Sequence, residues 1–373
     1  LSLHDALPIW MLISESDVLT LNSLCEHLQS NLPSVDSSKD YWFVRAQKGL
    51  FYKSFLSGGY IAIGWNHITF DDLENLDEES VKSKIKAFDK NIEKPGSAYN
   101  QMMKFTYSLN IGDIVIVPSE APNDFLVGEI VSRPYTESDE NIESASNICP
   151  FNKRIKVHWL GIIPNRDIDP QLYKLVYSGH TITDANPYKK FINRGLYDAY
   201  IDENFMSVTF KVLQENNVDA FGYTTFLYTL TQMIRIIEDH IEVGDEKVSL
   251  RTNVQSPGPI ELIGKPEVLI PILTFVTLFA GGRSFRNLIK RNGANIEVDL
   301  KNGKFKAQLN SDGDEALKKA QANKLNSEAI GLLIDKGLSP EFEGATSQLD
   351  IKTPKTATKI LQKELLESEE ISE

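Results

Sequence analysis

The sequence has few cysteines and no recognisable metal motif. Only Cys25 and Cys149 occur in 373 residues, far apart and without a second pair. Their scarcity excludes a disulfide framework and a thiolate zinc site, and it favours a reducing, cytoplasmic compartment. The six histidines are scattered, and none stands at metal-ligand spacing from a carboxylate or a cysteine. We therefore expect neither a bound metal nor another cofactor.

Long apolar runs are also missing. The longest, Val268 to Ala280, reaches about 15 residues even when Pro266 and Glu267 are counted, whereas a helix needs roughly 20 to span a bilayer. A helix buried inside an α+β domain explains this run better. We therefore expect no stable membrane insertion.

Basic residues are outnumbered, which gives a formal net charge of −13. The molecule as a whole repels a phosphate backbone, so any contact with nucleic acid has to be local. Carboxylates concentrate in residues 71–79 and 137–143, whereas residues 281–306 hold seven bases against two acids. A solvated face is the ordinary explanation of such runs. The candidate basic patch consists of Arg283, Arg286, Lys290 and Arg291.

The length favours at least two domains, because a single core rarely extends over 373 residues. The first residues, LSLHDALPI, resemble a translated sequencing adapter joined to a truncated reading frame, so we expect the native N-terminus to be missing. Changes in residue pattern divide the chain into an adapter-like and helical leader at 1–37, a β-rich domain at 38–168, a helical connector at 169–240, an α+β domain at 241–343 and a mobile polar tail with one helical stretch at 344–373.

The β-rich domain is predicted from short segments of alternating and β-branched residues. Helical spacing within it indicates two inserted helices, Glu79 to Phe88 and Tyr99 to Leu109. A compact antiparallel barrel or a strongly curved sheet satisfies this pattern. Gly112 and Asp113 predict a tight turn in which the carboxylate accepts backbone amides. The predicted strands are Tyr41 to Arg45, Tyr60 to Gly64, Ile114 to Pro118, Phe125 to Val131 and Arg154 to Leu160.

Downstream of this domain, short helices are predicted at residues 195–204 and 207–216, and a long amphipathic helix is predicted at residues 221–241. A turn at Gly244 predicts a hairpin between residues 241 and 251. Asn302-Gly303 predicts a second hairpin, formed by residues 296–300 and 305–309. The fold class expected for the whole chain is therefore α+β.

Several motifs of the β-rich domain occur in the order of a known family. The run YWFVRA at residues 41–46, with GYIAIGW at 59–65, resembles the start of the PUA/EVE-like domain of Mrr-type modification-dependent restriction proteins. The resemblance covers about a third of the chain. It implies a small β barrel whose cleft accepts a flipped, often modified, base of DNA or RNA, and a role in bacterial defence against phage. The later matches are Asn100-Gln101 with Phe105, GDIVIVP at 112–118, VGEI at 127–130 and VHWLG at 157–161.

Physical chemistry indicates which side chains could form such a cleft. A base taken out of its stack is stabilised by aromatic faces and by hydrogen bonds to its edge. We predict that Trp42, Trp65 and Arg45 lie at one cleft, although core packing is the alternative for each aromatic residue. The candidate stacking faces are Trp42, Trp65, Phe105 and Trp159, and the candidate partners for a base edge or phosphate are Arg45, Asn100 and Gln101.

Two other function classes stay open beside the nucleic-acid reader. Glu297, Asp299 and Lys301 alternate along one predicted strand, which suits a divergent metal-dependent nuclease but also the exposed face of a hairpin. A membrane or self-assembly effector would expose the apolar helix at residues 268–280 on triggering. The partner expected from the leading hypothesis is DNA or RNA, and a homo-oligomer is compatible with the sequence.

Overall fold

The computed structural model describes residues 15–45, 47–120, 123–138, 148–214, 218–241, 246–252, 258–280, 295–299, 304–308, 329–333 and 339–370. The protein has the expected mixed α+β fold, and its sheets are curled and include a half-barrel. The chain divides into two compact units. Residues 36–196 form one, here called the insert unit, and residues 1–35 with 197–373 form the flanking unit.

The helices and strands are numbered in chain order. The helices are α1 (Glu15–Asn31), α2 (Tyr52–Gly58), α3 (Phe70–Asn75), α4 (Glu78–Phe88), α5 (Pro95–Met103), α6 (Tyr173–Val176), α7 (Lys189–Leu196), α8 (Ala220–Ile241), α9 (Pro266–Ala280), α10 (Ser339–Gln348) and α11 (Lys355–Glu370). The strands are β1 (Ser34–Val35), β2 (Tyr41–Val44), β3 (Tyr60–Ile63), β4 (Ile114–Pro118), β5 (Asp124–Ile130), β6 (Tyr135–Thr136), β7 (Lys153–Pro164), β8 (Ile182–Asp184), β9 (Ala199–Asp202), β10 (Phe205–Val212), β11 (Ser249–Thr252), β12 (Gly258–Gly264), β13 (Asn295–Asp299), β14 (Lys304–Gln308) and β15 (Ile351–Lys352).

The insert unit is built on one sheet of order β3-β7-β5-β4-β2-β8, with β6 beside β7. All five strands predicted in this region are present, and β7 extends beyond its predicted end to Pro164. Most neighbours are antiparallel, as predicted, but β2 and β4 run parallel. The helices predicted at residues 79–88 and 99–109 correspond to α4 and α5.

Each face of this sheet carries a buried apolar cluster, and successive residues of a strand point to opposite faces. On the first face, here called the α5 side, Val44, Val115 and Ile155 pack against residues of α2, α4 and α5. On the second face, the α7 side, Phe43 and Phe125 pack against residues of α6 and α7. The insert unit therefore has two apolar clusters separated by one sheet.

The flanking unit has a sheet of order β1-β9-β10-β12-β11, with β15 paired to β10. Its core combines one face of this sheet with residues from α1, α8, α9, α10, α11 and the helical segment 329–333. Every residue from Val268 to Leu278 of α9 is buried, so the predicted buried helix is confirmed. Among the described residues, no helix is both long and apolar enough to cross a membrane.

Three sequence-based predictions about the flanking unit are wrong. Residues 195–216 were expected to form short helices, but they contain β9 and β10. Ile241, the predicted start of the first hairpin, is the last residue of α8, and residues 249–252 form β11, which pairs with β12. The tail from residue 344 was expected to be mobile apart from one helical stretch. The helix α11 agrees with that stretch, but the end of α10 and the strand β15 also lie in the tail, and Leu349 and Leu361 are buried in the core. Those apolar positions are sufficient to dock the segment.

Other predicted segments lie partly or wholly outside the described residues. The adapter-like start and the candidate basic patch Arg283, Arg286, Lys290 and Arg291 are among them. Strands β13 and β14 pair antiparallel, consistent with the second predicted hairpin, but Asn302-Gly303 itself is not described.

Candidate functional site

A surface groove of about 790 Å³ lies beside α5 in the insert unit. Its described lining contains three groups that can carry positive charge, two side-chain amides and one aromatic ring, and it contains no carboxylate. We call it the α5 groove. The charged groups belong to Lys94, Lys104 and His180, the amides to Asn100 and Gln101, and the ring to Tyr107.

The local sequence explains how α5 presents these groups. Pro95 occupies the first turn of the helix, where its missing N–H costs little. Ala98 and Met102 face the core, whereas Asn100 is exposed. The helix continues as a π-helical turn from Lys104 to Ser108, a widened geometry that is frequent at functional sites. One face of the segment is therefore packed and the other lines the groove.

Gln101 ties this helix to the segment that carries His180. Its side chain is 5% exposed, and its Oε1 accepts a hydrogen bond of 2.6 Å from the backbone N–H of Ile182. Because the backbone nitrogen donates, the accepting atom has to be the oxygen of the amide. The NH₂ group is thereby left as the donor that Gln101 can offer to the groove.

The cations of the groove are not neutralised by neighbouring acids. Lys94 and His180 are exposed and Lys104 is half-buried. Across the described parts of the chain, none of the three forms an ion pair. By contrast, Lys82 on α4 pairs with Glu78 and with Glu79. The groove is thus a local positive surface on a chain of net charge −13.

Trp42 and Trp159 lie in one row across the α5 side of the sheet. Trp42 pairs in register with Val115, Val115 with Gly128, and Gly128 with Trp159. A Cβ atom on Gly128 would lie 2.5 Å from Cε3 of Trp159, so glycine makes room for the indole. Both tryptophans are half-buried and pack against the core.

The indole N–H groups of this row are used within the protein. Trp42 donates to Oδ2 of Asp113 over 3.0 Å, and Trp159 donates to the carbonyl of Phe55 over 3.0 Å. Asp113 also accepts the backbone N–H of Asn110, which confirms its predicted role in a turn. The two tryptophans can therefore offer ring faces to a ligand, but their N–H donors are already engaged.

Arg45 does not share a cleft with Trp42, and this prediction is wrong. Its guanidinium donates to the carbonyl of Val176 at the end of α6 and lies 6.0 Å from the ring of Phe43. Both contacts are on the α7 side, because residues 42 and 45 are an odd number of positions apart. Burial lowers the pKa of Arg45 below its ordinary value.

Phe105 is likewise excluded as a stacking face. Its side chain is fully buried in the core on the α5 side, so no ring face is open to a ligand. Trp65 is half-buried and lies in the turn between β3 and α3. Of the seven predicted site residues, only Asn100 and Gln101 are among the described residues that line the α5 groove.

Sequence reasoning missed Lys94, Lys104, Tyr107 and His180. A partial signal was present, because Asn100, Lys104 and Tyr107 follow each other at helical spacing and share one helix face. His180 comes from a distant part of the chain, and nothing in the local pattern places it beside α5.

The alternative nuclease residues occupy a two-stranded sheet. Glu297 pairs in register with Lys306, and Asp299 pairs with Lys304. Residue types of opposite charge at paired positions are common in a hairpin, the alternative that the sequence also offered. Lys301 lies outside the described residues. Where the chain is described, no three residues of His, Cys, Asp and Glu are grouped so that they could hold a metal ion.

Comparisons with known proteins identify a domain but not a function. The family model described as a domain of unknown function (DUF8426) matches residues 43–185. That range extends from β2 to the segment after β8 and includes every described residue that lines the α5 groove. No curated protein and no solved structure matches the chain.

Proposed function

We propose that the insert unit binds nucleic acid and that the α5 groove holds the strand. The observation that carries this proposal is the composition of the groove: Lys94, Lys104 and His180 stand without carboxylates beside amides and an exposed tyrosine. Cations neutralise phosphates, and an aromatic face stacks on a base of any sequence. The overall negative charge of the protein requires such binding to be local, and the groove provides a local positive surface.

The amides give the groove a means of reading a base. Asn100 is exposed, and the NH₂ group of Gln101 is left to donate after its oxygen has bound Ile182. Side-chain amides make paired hydrogen bonds with base edges, whereas lysines contact phosphate without reading sequence. We therefore assign affinity to the lysines and selectivity to the amides.

The resemblance to PUA/EVE-like domains of restriction proteins supports a finer proposal. In it the ligand is a modified or displaced base, and the protein acts in bacterial defence against phage. The partly buried tryptophans Trp42, Trp65 and Trp159 are compatible with such a ligand, because a displaced base needs an aromatic surface.

Binding of the full-length protein to labelled oligonucleotides tests the proposal. The probes are single- and double-stranded DNA and single-stranded RNA of one sequence, measured by fluorescence anisotropy at low salt. We expect Lys94→Glu/Lys104→Glu to weaken binding by about tenfold or more, because two attractive contacts become repulsive.

Lys53→Glu/Lys86→Glu is the matched control. Both lysines are exposed residues of the insert unit outside the groove, and the change in net charge is the same. We expect the control to change affinity by less than about threefold. No binding of the unaltered protein to any probe, or equal losses in both double variants, would overturn the proposal.

The finer proposal has its own comparison. Probes that carry methylated or hydroxymethylated cytosine should bind more tightly than the unmodified probe of the same sequence. Equal affinity for all three, together with tight binding, would leave a nucleic-acid-binding unit that does not select for these modifications.

A further inference from the structure

The turn after β3 holds a bulky residue in an unfavourable backbone conformation. Trp65 has φ +60°, in the left-handed region that glycine and asparagine adopt readily. For a large aromatic residue this conformation is rare and persists only where the surroundings enforce it. Ile68 N–H bonds back to the Trp65 carbonyl over 3.0 Å, which closes the turn.

A buried lysine enforces the conformation. Lys153, the first residue of β7, is 1% exposed, and its Nζ donates to the carbonyls of Trp65 over 2.8 Å and of Ile68 over 2.7 Å. An ammonium group is costly to bury, and neither of these partners is a carboxylate. A costly buried cation thus serves to hold two carbonyls of one short turn.

A second connection joins the same two segments. Nδ2 of Asn66 donates to the carbonyl of Pro150 over 2.8 Å, and its Oδ1 accepts the backbone N–H of Asn152 over 3.2 Å. The turn at residues 65–68 is therefore fixed to residues 150–153 by four hydrogen bonds, two from each connection. We call this set the Lys153 brace.

Packing does not by itself explain a tryptophan at this position. A glycine or asparagine would close the turn without strain, and a core residue would be fully buried, whereas Trp65 is half-buried. Trp65 packs against the α5-side core and remains partly accessible to solvent. A rigid, partly exposed aromatic face is the surface on which a planar ring stacks.

We propose that Lys153 and Asn66 are positioning residues that hold Trp65 as a stacking platform for a nucleobase. This inference rests on the proposed function and adds a residue outside the α5 groove to it. Stacking on an indole tolerates every base, so Trp65 contributes affinity without sequence preference. Lys153 and Asn66 act through Trp65 and do not contact the ligand.

The test uses the full-length protein labelled with 5-fluorotryptophan. The chain has four tryptophans, and the ¹⁹F resonance of Trp65 is assigned by its loss in Trp65→Phe. We expect a 12-nucleotide single-stranded DNA to shift this resonance. Trp65→Leu should weaken binding about tenfold, whereas Trp65→Phe, which keeps an aromatic face, should weaken it less.

Lys153→Met removes the two hydrogen bonds that Lys153 contributes to the brace and approximately keeps the length of the side chain. We expect it to move or broaden the Trp65 resonance in the free protein and to weaken binding about as much as Trp65→Leu does. Lys156→Met is the control, because Lys156 lies on the same strand but is exposed. It should leave the Trp65 resonance in place. If Lys153→Met does not fold, Asn66→Ala provides the same test. It removes the other two hydrogen bonds of the brace, and Asn66 is exposed.

The outcomes separate this inference from the function on which it rests. Loss of binding in Lys94→Glu/Lys104→Glu together with unaltered binding in Trp65→Leu would overturn the stacking platform and leave the groove proposal standing. An unmoved Trp65 resonance in folded Lys153→Met would overturn the positioning role. Failure of the unaltered protein to bind the DNA would overturn both.

Discussion

Two regions of the insert unit contain the same kinds of side chain in opposite environments. In the packed interior on the α5 side of the sheet, the indole N–H of Trp159 and the ammonium group of Lys153 are bound to backbone carbonyls. In the α5 groove, Lys94, Lys104 and Tyr107 have surfaces open to solvent. Residue type alone therefore does not mark a binding group; what matters is whether the protein has already satisfied it.

The largest expected difference between the two regions concerns stability. Trp159→Ala should lower the free energy of unfolding by about 3 kcal/mol, because it removes a large ring beside Gly128 and a hydrogen bond to Phe55. Tyr107→Ala should lower it by less than about 0.5 kcal/mol. Chemical denaturation of both variants checks this. Equal losses would mean that the groove is as tightly packed as the interior.

The pH dependence of stability should distinguish the buried Lys153 from Lys104 of the α5 groove. Burial lowers the pKa of Lys153 from 10.5 to about 8. Since the unfolded chain holds this proton more tightly, stability should rise as the pH increases from 8 to 10.5, and the gain should be lost again as the pH falls from 10.5 to 8. The full difference corresponds to about 3 kcal/mol, of which the part below pH 10 is measurable.

Lys153→Met should remove this rise. The unfolding free energy of the unaltered protein minus that of Lys153→Met should therefore increase from pH 8 to pH 10. Groups that titrate equally in both proteins, such as the tyrosines, cancel in the difference. Lys104→Met serves as the control from the groove and should run parallel to the unaltered protein. A pH-independent difference for Lys153→Met would contradict the strong burial of its ammonium group.

A smaller effect is expected for the aromatic ring of the groove. Tyr107 is 53% exposed, so its removal should scarcely affect folding. If it stacks on a base, Tyr107→Ala should weaken oligonucleotide binding by about 1 to 2 kcal/mol, and Tyr107→Phe should retain most of the affinity. Anisotropy titrations of both variants measure this. Unaltered binding in Tyr107→Ala would restrict the groove to phosphate contacts.

The strands of the insert unit could be predicted because their apolar residues alternate between two buried faces. The alternation of residues along a strand also gives the correct answer for two predictions that were wrong. The odd separation of residues 42 and 45 excludes a shared face, and the alternation of Met206, Val208 and Phe210 indicates the strand β10 rather than a helix. In both cases the sequence contains the period-two pattern of a strand, which contradicts the predictions made for these residues.

The site could be predicted only in part, for a different reason. Asn100 and Gln101 lie on one predicted helix, but His180 reaches the groove through the hydrogen bond between Gln101 and Ile182, which joins residues 81 positions apart. The Lys153 brace also joins distant segments. Contacts of this kind depend on the packed fold, and a single sequence gives no local pattern for them.

The salt dependence of binding tests the central claim most directly. For single-stranded nucleic acid, each neutralised phosphate contributes about −0.7 to the slope of log K against log salt concentration. We expect Lys94→Ala/Lys104→Ala to make the slope less steep by about 1.4 relative to the unaltered protein, and Lys53→Ala/Lys86→Ala to leave it unchanged. Parallel slopes for the unaltered protein and the groove variant would show that the two lysines do not contact phosphate and would contradict the proposed role of the α5 groove.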